Sequence, residues 1–105
     1  MKKEFSGKTV IVTGGASGMG LLSGQNFFER GANVLLCDCN EEELNKAKAL
    51  FDGDEKRLLT VLCDGRNFDE VREAVRACIE KCGSLDGMVS CAGGNSCRIF
   101  GRWEE

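Results

Sequence analysis

The stretch Thr9-Val10-Ile11-Val12 breaks directly into Thr13-Gly14-Gly15-Ala16-Ser17-Gly18-Met19-Gly20. Consecutive apolar residues followed at once by a glycine-rich turn predict a buried strand feeding a helix through a tight corner. Glycines let such a backbone turn sharply and approach a ligand closely. The helix start adds free N–H groups and a partial positive charge, so the unit is built to cradle a phosphate. Glycine spacing here is Gly-x-x-x-Gly-x-Gly, one residue wider than the usual dinucleotide fingerprint.

The remaining sequence supports one α/β domain. Its 105 residues suit a single domain with a modest core. Lys and Arg number 14 against 17 Asp and Glu, a net charge of −3 with the charges interspersed. No basic footprint for nucleic acid is present. No run approaches the length of a membrane span, and Met1 to Gly7 lacks the apolar core of a signal peptide. A cytoplasmic location is therefore expected.

The seven cysteines (37, 39, 63, 78, 82, 91 and 97) are odd in number and sit mostly inside apolar patterns. Reduced thiols packed as small hydrophobes are expected rather than a disulfide framework. Cys78 and Cys82 share a helix face at a spacing that could hold a metal, but the chain has no histidine. A packed face is the better reading, and no metal site is assigned.

Strand and helix patterns alternate along the chain. Strands are predicted at Lys8 to Thr13, Asn33 to Asp38, Leu58 to Cys63 and Leu85 to Cys91. The first helix should run from Gly18 to Arg30, with Met19, Leu22, Ser23 and Phe27 facing inward. Asn40 with Glu43, and Asn67 with Glu70, read as capping boxes. They open helices with inward residues Leu44, Ala47 and Phe51 in one, and Val71, Val75, Cys78, Ile79 and Cys82 in the other. Asp52-Gly53-Asp54 reads as a turn. The β-α-β-α-β-α-β order, with right-handed crossovers, predicts a parallel sheet in strand order 3-2-1-4 with helices on both faces.

Four markers now fall in order, each at the carboxyl end of its own strand. Thr13-Gly14-x-x-x-Gly18-x-Gly20 closes the first, Asp38 the second, Asp64-Gly65 the third and Ser90-Cys91-Ala92-Gly93 the fourth. Together they resemble the short-chain dehydrogenases/reductases over nearly the whole chain. That family has Asn-Asn-Ala-Gly where this sequence has Ser-Cys-Ala-Gly. The resemblance implies a Rossmann-type fold, with residues 1–105 as a partial NAD(P)-binding domain, incomplete relative to the family. It implies pyrophosphate binding at Gly14, Ser17, Gly18, Met19 and Gly20. Asp38, with Cys39 beside it, would hold the adenosine ribose, Asp64 and Gly65 would border the adenine, and Ser90, Cys91, Ala92 and Gly93 would border the nicotinamide-side ribose.

NAD is expected over NADP. A ribose 2′-phosphate would be repelled by Asp38, and neither Ser17 nor Cys39 supplies a cation. The family's chemistry is hydride transfer between a nicotinamide and a carbonyl or alcohol substrate, using a Ser and a Tyr-x-x-x-Lys pair. This chain has no tyrosine. Ser90 and Ser96 belong to the fourth strand and the loop after it and do not replace the missing Ser. An oxidoreductase represented by its cofactor half, without catalytic residues, is the leading expectation. A non-catalytic dinucleotide-binding module, an inactive truncated fragment and, more remotely, a SAM-binding methyltransferase stay open. The fourth strand is further expected to be an exposed edge prone to self-association, with the apolar tail 98–103 either folded back over it or loose.

Overall fold

The computed structural model describes residues 4–51, 55–64, 67–92 and 96–100; at 55, 68, 92 and 96–100 only the backbone is described. Strands β1 (Thr9–Thr13), β2 (Asn33–Asp38), β3 (Leu58–Leu62), β4 (Gly87–Ala92) and β5 (Ser96–Phe100) form one sheet in the order β3-β2-β1-β4-β5. The first four strands are parallel, so the predicted 3-2-1-4 order holds.

Helices α1 (Gly18–Glu29) and α2 (Glu41–Lys48) cover one face of the sheet and α3 (Phe68–Cys82) the other. Side-chain alternation along each strand divides the core. Val10, Val12, Val34 and Leu36 point toward Phe28, Leu44 and Ala47, while Ile11, Leu35 and Cys37 point toward Val75 and Cys78. Because both faces are covered, β1 is buried at every position, which is why its sequence reads as an unbroken apolar run.

Helices α2 and α3 are bounded by local chemistry, and α1 by a residue from elsewhere in the chain. The Asn40 side chain accepts the Glu43 N–H, and Asn67 accepts those of Asp69 and Glu70. Gly83 ends α3 in the left-handed conformation, φ 88°. Helix α1 lacks a basic residue in its last turn. Arg57, in a single 3-10 turn at Glu55–Arg57, supplies that cation from elsewhere. Its guanidinium donates to the carbonyls of Phe28 (3.0 Å) and Ala32 (2.7 Å) and lies 4.1 Å from the centre of the Phe28 ring.

Three expectations need correction. The inward face of α1 is Gly20, Gly24 and Phe28; Met19 and Leu22 are 51% and 58% exposed. The helical period was right and its phase was wrong, because the small residues are what allow α1 to lie against the sheet. A Cβ on Gly24 would stand 3.0 Å from Leu36 Cδ2. Secondly, β4 is not an edge. β5 runs antiparallel beside it, with Met88 opposite Phe100 and Ala92 opposite Ser96. Finally, the thiols are not all reduced. Cys37, Cys39, Cys63, Cys78 and Cys82 are free, but Cys91 is disulfide-bonded. The antiparallel register sets Cys91 opposite Cys97 along the backbone.

The predicted turn at Asp52-Gly53-Asp54 lies outside the described residues. Helix α2 ends at Lys48, and Phe51 beyond it still packs on the core, its ring 5.2 Å from that of Phe28. Among the described residues, no helix is long and apolar enough to cross a membrane.

Candidate functional site

Parallel pairing brings the carboxyl ends of β1 to β4 to one rim of the sheet. The glycine turn after β1 is fixed there by the second strand. Gly15 N–H donates to the Cys37 carbonyl at 3.0 Å, and Ala16 N–H donates to Asp38 Oδ2 at 3.2 Å. Gly14 and Gly18 have φ of 66° and 57°, a region that side chains with a Cβ rarely adopt.

Space is as restrictive as conformation. A Cβ on Gly14 would lie 2.6 Å from the Cys91 carbonyl oxygen, and one on Gly20 would overlap the Gly14 carbonyl oxygen. Gly15 was not among the expected site residues, yet its Cβ would stand 2.9 Å from both Leu36 Cδ2 and the Val12 oxygen. The turn is folded onto itself, with no room for side chains on its inner surface.

The start of α1 differs from the other two helix starts. Helices α2 and α3 carry acidic residues in their first turns and an asparagine side chain on their N–H groups. Helix α1 has no acidic residue in its first turn, and Ser17, its N-cap, makes no side-chain cap bond among the described residues. Ser17, Gly18 and Met19 are all exposed. An uncapped, exposed helix start beside a glycine turn fits an anion, which would complete the N–H groups that asparagine completes elsewhere.

Asp38 stands at the end of β2, with its carboxylate spanning two elements. Oδ2 accepts the Ala16 N–H, and Oδ1 accepts the Asn40 N–H at 3.2 Å. Each oxygen keeps a further lone pair, so the carboxylate can still receive two hydroxyl donors. The backbone contacts to Ala16 and Asn40 were not legible beforehand. The only clue was that Asp38 lies two residues before a helix cap. Cys39 is exposed beside it.

Asp64 follows β3, and its carbonyl accepts the Asn67 N–H at 2.9 Å. Its own N–H donates to Glu70 Oε1 at 3.4 Å, so the capping-box glutamate reaches back to the strand end and helps hold the Asp64 segment. Ser90 is opposite Thr13 in the β1–β4 register, and Cys91 and Ala92 complete β4. Thr13 is buried, and its hydroxyl donates to the Val89 carbonyl at 3.5 Å. Gly65 and Gly93 lie outside the described residues. The described members of all four predicted markers therefore share one rim.

This arrangement has known counterparts. The family model for short chain dehydrogenase matches residues 8–104. An uncharacterized oxidoreductase of Mycobacterium bovis is 40% identical over 89% of this chain and 37% of its own. Short-chain dehydrogenase reductase 3b of Arabidopsis thaliana is 43% identical over 87% of this chain and 35% of its own. Among solved structures, the C-domain of a bacterial malonyl-CoA reductase with NADP superposes with a TM-score of 0.78 at 28% identity, covering 88% of this chain and 16% of that one. The chain thus spans little more than a third of the length of the relatives it matches. The matched range takes in the glycine turn, the four parallel strands and the rim at their ends, and the chain belongs to the short-chain dehydrogenase/reductase family.

Proposed function

We propose that these residues form the dinucleotide-binding half of an NAD-dependent oxidoreductase. The observation that carries the reading is the pairing of an uncapped α1 start with the Asp38 carboxylate, joined through Ala16 N–H. The N–H groups around Ser17, Gly18 and Met19 would receive the pyrophosphate. The remaining lone pairs of Asp38 would receive the adenosine ribose hydroxyls, with Cys39 at its side. Asp64 and Gly65 would border the adenine, and Ser90 to Gly93 the nicotinamide-side ribose. When bound, the nicotinamide supplies the hydride acceptor or donor for a carbonyl or alcohol substrate.

NAD is favoured over NADP by charge. Ser17 and Cys39, the neighbours of the ribose position, carry none, and Asp38 opposes a 2′-phosphate. The malonyl-CoA reductase domain was solved with NADP, so the fold itself admits either cofactor.

These 105 residues contain no tyrosine, the family's acid–base group. Hydride transfer is therefore assigned to a longer form, and the chain as given is expected to bind cofactor without turnover. Its lack of tyrosine equally supports a second reading, a dinucleotide-binding module with no catalysis of its own. Titration with NADH, followed by nicotinamide fluorescence, tests the shared core of both. A saturable change is expected, and no saturation up to about millimolar cofactor, where binding free energy falls to roughly 4 kcal/mol, would overturn them. Oxidation of NADH by a carbonyl panel separates the two in any longer form.

A further inference from the structure

The face of the sheet covered by α3 holds sulfur atoms that cofactor binding does not use. Cys37, on β2, and Cys63, just past β3, are both buried in that core with Cys78 of α3. The β2–β3 register sets Cys37 opposite Val61, so Cys63 lies diagonally across from it on the same face. Cys63 N–H donates to the Asp38 carbonyl at 2.8 Å, which draws the two strand ends together at that point. Both side chains belong to one packed cluster under α3.

Their surroundings differ. Cys37 is 1% exposed and closed in on every side. Cys63 also lines an open groove of about 290 Å³ between β3 and the start of α3, with Val61, Asn67 and Glu70 among its other walls. A small oxidant in that groove meets Cys63 first.

We propose that Cys37 and Cys63 form an oxidisable dithiol that a peroxide closes to a disulfide, clasping the ends of β2 and β3 beneath Asp38. The Cys63 sulfur, as thiolate, attacks one peroxide oxygen. The O–O bond breaks, and the leaving hydroxide takes up the proton that the thiol released. The Cys37 sulfur then attacks the resulting sulfenic sulfur. The S–O bond breaks, and the oxygen leaves as a second water with the Cys37 proton. Two thiols and one hydrogen peroxide thus give one disulfide and two waters, with two electrons passing from sulfur to oxygen.

The acid–base order of the pair matches that sequence. Hydrogen bonding to Cys63, then burial, pushes the Cys37 thiol up, while the same bond lowers Cys63 against burial and the nearby Glu70, Asp64 and Asp38. Cys63 is therefore the sulfur that ionises first and Cys37 the one that supplies the proton. Diagonal neighbours on paired strands lie about 7–8 Å apart at Cα, so an S–S bond of about 2.05 Å requires the two strand ends to move toward each other.

The proposal is independent of cofactor binding, and its test needs none. Cys37 and Cys39 share one tryptic peptide, residues 31–46, while Cys63 lies alone in 58–66 and Cys78 alone in 77–81. The 105-residue Cys39→Ala chain removes the exposed competitor and leaves the core untouched. After hydrogen peroxide treatment, alkylation and non-reducing digestion, mass spectrometry should show 31–46 joined to 58–66, and the joined mass should vanish with dithiothreitol. Cys63 recovered as alkylated thiol, as sulfinic or sulfonic acid, or joined to 77–81 would overturn it.

Discussion

Replacing Asp38 with alanine tests whether this carboxylate anchors the glycine turn. It removes the acceptor for two N–H groups, those of Ala16 and Asn40. The two losses are unequal. Asn40 is exposed, so water replaces the carboxylate there at little cost. Ala16 is 3% exposed, so its N–H is left without a partner. An unsatisfied buried donor costs about 1–3 kcal/mol, and a bond of 3.2 Å belongs in the lower half of that range. A loss of about 1–2 kcal/mol corresponds to a fall in melting temperature of roughly 4–15 °C for a domain of this size.

The assay is thermal unfolding followed by far-UV circular dichroism with no nucleotide present. Asp38→Asn keeps one acceptor oxygen and should lose about half as much as Asp38→Ala. An Asp38→Ala chain melting within about 1 °C of the parent would refute the claim that this side chain anchors the glycine turn. The same variant reports on cofactor choice. Two unit charges about 4 Å apart repel by ~1 kcal/mol in water and ~4 kcal/mol at an effective dielectric near 20. Removing Asp38 should therefore raise the ratio of NADPH to NADH affinity at least roughly fivefold, measured by parallel fluorescence titrations. An unchanged ratio would remove the charge argument for NAD.

Gly20→Ala gains about 1 kcal/mol of helix propensity but forces a Cβ onto the Gly14 carbonyl oxygen, an overpacking worth about 1–3 kcal/mol. Backbone cannot give way as a side chain can, so net destabilisation in denaturant titration and at least tenfold weaker NADH binding are expected. Asn67→Ala strips the cap from two N–H groups at the start of α3 and should cost about 1 kcal/mol in urea unfolding, with an unchanged m-value. Alkylation with iodoacetamide should label the exposed Cys39 well before Cys78, whose thiol burial pushes up to about 12; peptide mass spectrometry against time gives the order.

The parts of the fold that were legible in sequence are those set by local chemistry or by full burial. Asn40 and Asn67 announced two helix starts because capping needs only residues three apart. The runs at β1 and β2 announced a parallel sheet because burial on both faces leaves no polar alternation. The misread features depend on contacts distant in sequence. Met19 and Leu22 satisfy a helical period as well as Gly20 and Gly24 do. Only the approach of α1 to Leu36 decides which set faces inward, and there the smaller residues fit. The sequence allows the tail after β4 either to fold back over that strand or to stay loose, and only antiparallel pairing with Met88 to Ala92 decides between them.

The site shows the same division at finer scale. The placement of Gly14 and Asp38 at strand ends and of Gly18 at the start of α1 was legible by type and spacing, but what joins them was not. A hydrogen bond from Ala16 N–H has no side-chain signature, because any residue other than proline can donate it. The structure therefore changes the meaning of Asp38. It is not an isolated ligand waiting at a strand end; it is the post to which the glycine turn and the start of α2 are both tied. A carboxylate already held from two sides is fixed in direction, so under the proposed reading less freedom would be lost when a ribose binds. Under the proposed reading, cofactor choice and the fold of the turn would therefore depend on the same side chain. A change of cofactor preference that replaces Asp38 must also restore an acceptor for Ala16 N–H. A basic residue substituted alone supplies no such acceptor, and it should weaken the turn even as it welcomes a 2′-phosphate.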